Sequence, residues 1–272
     1  MNKFSQLSRN RIKSIGLLRK RTDRYKQKQF IAEGLRTVEQ IIDNGILDIV
    51  AIIVDEQQLK DGIPDSWYEK VRDIPFFTVT TSTFRQLSDT ESSQGAMAVC
   101  HMPDPVTEAE LLARNGVIFV ADRLQDPGNL GTIIRTAAWF GLCGLVFAPG
   151  TVDLFHPKVV RSTAGATGVL PWMETDLAVF FEKAQRLDWR IHVLDSGSNT
   201  KSFRELRPCG KDLLVAGNEA QGVSLELKGY ADTLLRIDPV QSSGQMKGNT
   251  EVPVESLNVS VASAIVMAHF CR

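Results

Sequence analysis

The feature that most constrains this chain is a series of short, almost wholly apolar runs in its second half. They are VIFVA at 117–121, GLVFA at 144–148, RIHVL at 190–194, LLVAG at 213–217 and TLLRI at 233–237. A strand with one wet face alternates apolar and polar residues, whereas a strand buried on both faces reads as an unbroken apolar run. Helical patterns fall between most of these runs, at 131–141, about 156–167, 177–187 and 257–270. That alternation predicts a parallel sheet covered by helices on both faces. In such sheets ligands bind in the loops beyond the carboxyl ends of the strands.

The first half is shorter in its rhythm. A helical pattern built on Phe30, Leu35, Val38, Ile41 and Ile42 leads through Asn44-Gly45 into a strand run at 49–54. Further strands are expected at 76–80 and 95–100, with a helix starting at Thr81-Ser82-Thr83-Phe84. This is the pattern of a small α/β sandwich. HMPDPVTEAEL at 101–111, with two prolines, is the expected linker, giving domains at 1–104 and 105–272.

Composition narrows the class. Of 272 residues, 43% are hydrophobic and 23% charged, the balance of a globular protein with a real core. No apolar run approaches the 18 or so residues a membrane helix needs, and MNKFSQLSRNRIKSIG lacks the apolar stretch of a secretory signal. The four cysteines form no C-x-x-C pair and the four histidines no H-E-x-x-H, so a cytoplasmic protein without metal is expected. The net charge of −1 hides an asymmetry: ten basic residues lie between Lys3 and Lys28 against one acid, Asp23. Arg11, Lys13, Arg19, Lys20, Arg21 and Arg24 belong to this cluster, which suits phosphates if it is not merely a solvated face.

Three loops of the second half stand out. Asp122 to Gly131 has a Pro127-Gly128 turn and Asn129 close to an expected helix start near Leu130, with Arg135 six residues on. Helix N-termini carry unpaired N–H groups and suit anionic or polar ligands. AGNEAQGVS at 216–224 places Glu219 between two glycines, with Ser224 as a helix cap. ESLNVSVASAIVMAHF at 255–270 offers Ser256 or Asn258 as the cap of a helix that is almost all small and apolar. Such a helix is buried or packed against another subunit. No phosphate loop or G-x-G-x-x-G is present, which argues against a nucleotide- or NAD-dependent enzyme.

Taken in order, N-x-G-x-x-x-R at 129–135, G-x-E-x-x-G at 217–222 and S-L-N-V-S at 256–260 resemble the three signature motifs of the SpoU (TrmH-like) family. HPKVVRSTAGA at 156–166 resembles the family's segment after its second strand. Residues 9–42 are similar to the start of the N-terminal substrate-binding domain of its ribosomal-RNA-modifying branch, which resembles small ribosomal proteins. The resemblance implies an S-adenosylmethionine-dependent RNA ribose 2′-O-methyltransferase of the SPOUT class, acting on ribosomal RNA. Transfer RNA is the alternative substrate, and a non-catalytic RNA-binding protein the alternative class. It further implies a trefoil-knotted parallel-sheet domain, a homodimer, and adenosine held against backbone of Gly217, Ile237 and Leu257. Arg135 and Asn129 would face the ribose, oriented by Glu219, Ser256 and Asn258. One departure stands out: Ile237 and Leu257 are separated by DPVQSSGQMKGNTEVPVES, roughly twice the family's spacing. That makes 238–253 a surface insertion or a lid, and leaves open whether Ile237 or Val252 takes the cofactor-contacting position.

Overall fold

Burial decides which runs become strands, and the second half follows that rule closely. The structure, a computed structural model, describes residues 5–58, 63–91, 93–197, 199–239 and 256–271. The chain divides into two compact units that interleave in sequence. One comprises residues 1–104, 130–135 and 152–169, and the other 105–129, 136–151 and 170–272.

In chain order the first stretch holds β1 (Ser5–Gln6), α1 (Arg9–Leu17), α2 (Arg21–Gln27), β2 (Gln29–Glu33), α3 (Leu35–Asn44) and β3 (Ile49–Asp55). It continues with α4 (Asp65–Lys70), β4 (Phe76–Val79), α5 (Thr81–Leu87) and β5 (Ala96–His101). The strands form one mixed sheet in the order β1-β4-β3-β5-β2, with β5 antiparallel to both its neighbours. Ile31, Ile53, Phe77, Phe84 and Met97 are among the residues of its core. Phe30, expected in a helix, is fully buried in β2 instead. Its ring packs on Phe155, centroids 5.0 Å apart, a long-range partner that no local periodicity reveals. The expected linker is also shorter than 101–111, because Thr107 and Glu110 form a reciprocal capping box that opens a helix at Glu108.

The remaining elements are α6 (Glu108–Leu112), β6 (Gly116–Asp122), α7 (Pro127–Trp139), β7 (Gly144–Phe147), α8 (Pro157–Ser162), β8 (Trp172–Glu174), α9 (Leu177–Arg186) and β9 (Arg190–Leu194). They end with β10 (Lys201–Ser202), β11 (Lys211–Gly217), α10 (Leu225–Lys228), β12 (Thr233–Arg236) and α11 (Val259–Phe270). Seven strands form a sheet in the order β10-β12-β9-β11-β6-β7-β8, and every pairing is parallel. The five apolar runs supply five of these strands, as the continuous burial pattern requires. β8 and β10, only three and two residues long, are too short to show a pattern. The sheet's core gathers Ile118, Val120, Val146, Phe180, Ile191, Leu213 and Val215.

Arg24 overturns one expectation. It is 2% exposed, and its guanidinium donates to the carbonyls of Leu18 (3.0 Å) and Arg19 (2.7 Å) and pairs with buried Asp153. Tyr25 Oη donates to the other carboxylate oxygen of Asp153 at 2.9 Å. A guanidinium consumed in this way cannot reach a phosphate. Its work is structural, tying α2 to residue 153, and all three partners belong to the same compact unit. Removing one member of a buried pair leaves an uncompensated charge. Arg24→Ala is therefore expected to destabilise the fold by about 3–5 kcal/mol, against about 0.5 kcal/mol or less for exposed Lys20→Ala. Urea unfolding midpoints of the two variants measure the difference.

Candidate functional site

Parallel pairing places the carboxyl ends of β6, β11, β9 and β12 along one edge of the sheet. Gly217, the last residue of β11, is in register with Asp122, the last of β6, so the loops that follow start side by side. After Asp122 the chain turns through Arg123, whose φ of 55° is left-handed, and enters α7 four residues later. The helix starts at Pro127 and not near Leu130. Asp126 caps it by accepting from Asn129 N at 2.8 Å, and Pro127 at the first position needs no N–H partner. Asn129 therefore sits in the first helical turn.

The second loop folds over the first. Asn218 holds it by accepting from the N–H groups of Ala220 (3.0 Å) and Gln221 (3.2 Å) while donating to the Arg123 carbonyl at 3.0 Å. Asp122, buried, accepts from Ser224 N at 3.1 Å and binds its own neighbour Arg123. Ser224 caps α10 as expected. Nothing in the sequence singles out Asp122, Asp126 or Asn218 for these tasks. A polar residue at a strand end or beside a glycine gives no local signal of what it will reach.

Glu219 then meets the first loop. Its carboxylate accepts from Gln125 N (3.2 Å), Asp126 N (3.1 Å) and Asn129 Nδ2 (3.1 Å). Burial acts to raise its pKa, but the hydrogen bonds from Asn129 and from the two backbone N–H groups outweigh it and hold the carboxyl below the ordinary glutamate range. The third loop completes the array. Asn258 caps α11, accepting from Ser260 N (2.9 Å), Val261 N (3.4 Å) and Ser260 Oγ (2.6 Å), and donates through Nδ2 to Asn129 Oδ1 at 3.0 Å. Glu219, Asn129 and Asn258 form one continuous chain of hydrogen bonds across the three loops.

Both amide orientations follow from this bonding. The Asn258 oxygen must face its helix N-terminus, so its nitrogen faces Asn129. The Asn129 oxygen accepts that bond, so its nitrogen faces Glu219. Each amide has a second N–H beyond these bonds, which can donate to an acceptor oxygen, and Asn129 Oδ1 keeps a second lone pair.

Arg135 is exposed on α7. Six residues of helix separate it from Asn129, a rise of about 9 Å along the axis. Ser256 is exposed two residues before the cap, and the cap is Asn258 alone. Leu257 is 46% exposed beside it, and Ile237 is half-buried just past β12, two strands from β11. Gly217 is required by its own chain: a Cβ there would lie 2.2 Å from the backbone of Gly222 and Val223. Gly131 is likewise a packing glycine, since its Cβ would meet Ser162 Cβ at 2.4 Å and the Val159 carbonyl at 2.7 Å where α7 crosses α8. Val252 and residues 240–255 of the insertion lie outside the described residues. Arg11, Lys13, Lys20 and Arg21 are exposed, while Arg19 donates to the Ser88 carbonyl. Among the described residues no cluster could hold a metal ion.

Residues 116–268, more than half of the chain, match the SpoU rRNA Methylase family. This protein is a SpoU-family methylase. Residues 9–98 match the MRM3-like substrate binding domain. Over its whole length this SpoU methylase is similar to the 23S rRNA (guanosine(2553)-2′-O)-methyltransferase RlmP of Bacillus subtilis strain 168, at 28% identity covering 99% of both chains. It is 26% identical to the mitochondrial rRNA methyltransferase 3 of Mus musculus, across 92% of this chain and 69% of that one. A putative RNA methyltransferase of the TrmH family from Porphyromonas gingivalis superposes with a TM-score of 0.77 at 26% identity, covering 98% of each chain. An AdoMet-bound rRNA methyltransferase from Sinorhizobium meliloti shares the fold, with a TM-score of 0.78 at 23% identity over 98% of this chain and 97% of that one.

Two outcomes are expected of the array. Asn258→Asp keeps the helix cap but loses the donor to Asn129, so methylation should fall about a hundredfold with stability within about 0.5 kcal/mol. Asn258→Ala should lose the cap as well, at about 1 kcal/mol; thermal unfolding beside activity separates them. The second concerns pH. Because the folded pKa of Glu219 is depressed, its contribution is complete above the unfolded value and is lost as pH falls through the folded one. An NMR titration of its carboxyl carbon should show a midpoint below the ordinary glutamate range, and Asn129→Ala should move it upward.

Proposed function

We propose that this SpoU methylase transfers a methyl group from S-adenosylmethionine to a ribose 2′-hydroxyl of ribosomal RNA. The observation that carries this reading is the Glu219–Asn129–Asn258 array joining three loops at the carboxyl edge of the sheet. The full-length relative named as a 23S rRNA 2′-O-methyltransferase supports ribosomal over transfer RNA.

The residues present fit an adenosyl cofactor. A half-buried Ile237, the exposed side chain of Leu257 and the backbone at the end of β11 offer apolar groups and peptide groups of the kind a planar base takes. Gly217, Ile237 and Leu257 are the residues proposed to hold it. S-adenosylmethionine supplies a methyl group on a sulfonium centre, an electrophile that needs no further activation. The protein's task is then to align the ribose oxygen and to accommodate its proton. The N–H groups of Asn129 and Asn258 orient an acceptor oxygen of the RNA. Glu219 locks Asn129 in that sense and, with its pKa held down, is a weak base. An arginine keeps its charge across the working pH range, so Arg135 acts as a clamp on an RNA phosphate that stabilises the developing alkoxide, and the proton leaves to phosphate or water. Ser256 adds a hydroxyl to the same edge in this reading.

Residues 1–104 serve as the RNA-binding part in this reading, and 105–272 as the methyl-transfer part. Arg11, Lys13, Lys20 and Arg21 contact phosphates, which position RNA without reading its sequence. Arg19 contributes less, because its guanidinium already serves the Ser88 carbonyl. Leu257 and Val261, 46% and 48% exposed around the start of α11, offer an apolar face to a second copy of the chain. The homodimer and the trefoil threading of residues before α11 belong to the same proposal. So does a cytoplasmic setting, in keeping with four free thiols.

Incubation with methyl-labelled S-adenosylmethionine should label ribosomal RNA and not transfer RNA, and the label should map to one ribose 2′-oxygen. No labelling with intact cofactor binding by calorimetry would count against the assignment. Arg135→Lys should retain part of the rate if charge is what matters.

A further inference from the structure

The N-terminal unit exposes one large aromatic ring among its described side chains, Tyr25, which is 41% exposed. The ring is fixed at its tip. Its hydroxyl donates to Asp153 Oδ1 at 2.9 Å, and Asp153 is itself buried, held by Arg24 and by Phe155 N at 3.1 Å. Burial and the adjacent Asp153 push the phenol up to about 12, so it stays a neutral donor. The guanidinium of Arg21 lies over the ring, 5.3 Å from its centroid. Lys20, Arg21, Lys26 and Lys28 around it are exposed. A second exposed arginine of the cluster is arranged alike, with Arg11 4.9 Å from the centroid of the buried Phe77 ring.

Phosphate attraction explains the charges but not the ring. An apolar ring held open to water gives up the free energy of burial, and anchoring it in advance lowers the entropic cost of a later contact. Unpaired RNA bases stack on aromatic faces and on guanidinium planes, whereas bases inside an A-form helix are out of reach. The positive cluster selects a polyanion over an ordinary protein surface.

We propose that the Arg21–Tyr25 pair is a stacking platform for an unpaired base, so that this unit engages its RNA through a single-stranded segment. The inference rests on the RNA-methylating reading above and adds the form in which the RNA is bound. The test uses the full chain without cofactor, titrated with a single-stranded oligoribonucleotide carrying 2-aminopurine and with the same strand in a duplex. The wild-type protein should quench the probe in the single strand only. Tyr25→Leu and Arg21→Lys should each weaken single-strand binding about tenfold, within the range a base–aromatic stack supplies, and abolish the quenching. Tyr25→Phe should keep it, and the salt dependence of Arg21→Lys should stay unchanged. Equal losses on duplex and single strand, or unchanged quenching in both variants, would overturn the proposal. If Tyr25→Leu lowers the melting temperature, Arg21→Lys decides alone, because it preserves charge on an exposed side chain. Methyl transfer is measured separately, so loss of activity with intact quenching would speak against the proposed reaction and not against the platform.

Discussion

The bond between Asn258 Nδ2 and Asn129 Oδ1 joins residues 129 positions apart in sequence, and the candidate site depends on it. It links the cap of the last helix to the first turn of α7, and through Asn129 it reaches Glu219. Three loops that are each unremarkable become one polar surface. The sense of the chain is set at its ends. Backbone N–H groups of α11 orient Asn258 from one side, and N–H groups of residues 125 and 126 hold Glu219 from the other. Two helix starts thus dictate how two amides point. The same backbone donors keep the Glu219 carboxyl ionised, so the array holds its arrangement at neutral pH.

Two glycines of the motifs, Gly217 and Gly131, are required by packing within the chain itself. In the structure, the backbone of residues 222–223 crosses Gly217, and α8 crosses Gly131. Both glycines make close packing of the chain on itself possible. The loop with Glu219 can lie against β6 only because β11 ends without a side chain.

The basic N-terminus separates into roles by burial. Arg24 gives its charge to Asp153 inside the unit, Arg19 serves a carbonyl, and Arg11, Lys13, Lys20 and Arg21 stay at the surface. A buried pair of this kind adds little net stability but is costly to break. Its clearest consequence is orientation: it fixes Tyr25 and the exposed face of α2 against residue 153.

Sequence alone determined the parallel sheet, because strands buried on both faces cannot hide their continuous apolar runs, and β6, β7, β9, β11 and β12 appear where those runs lie. It also singled out the three loops that meet in the structure, through Asn129, Glu219 and Asn258. It misplaced Phe30, whose partner Phe155 is far away in the chain, and the start of α7, where Asp126 and Pro127 outcompete the later apolar pattern. Only the tertiary structure decided that Arg24 is buried and that Asn218 and Asp122 brace the loops. The physical reason is the same in each case. Periodicity reports the average environment of a segment, whereas a hydrogen bond or an ion pair depends on which distant residue the fold delivers to within about 3 Å.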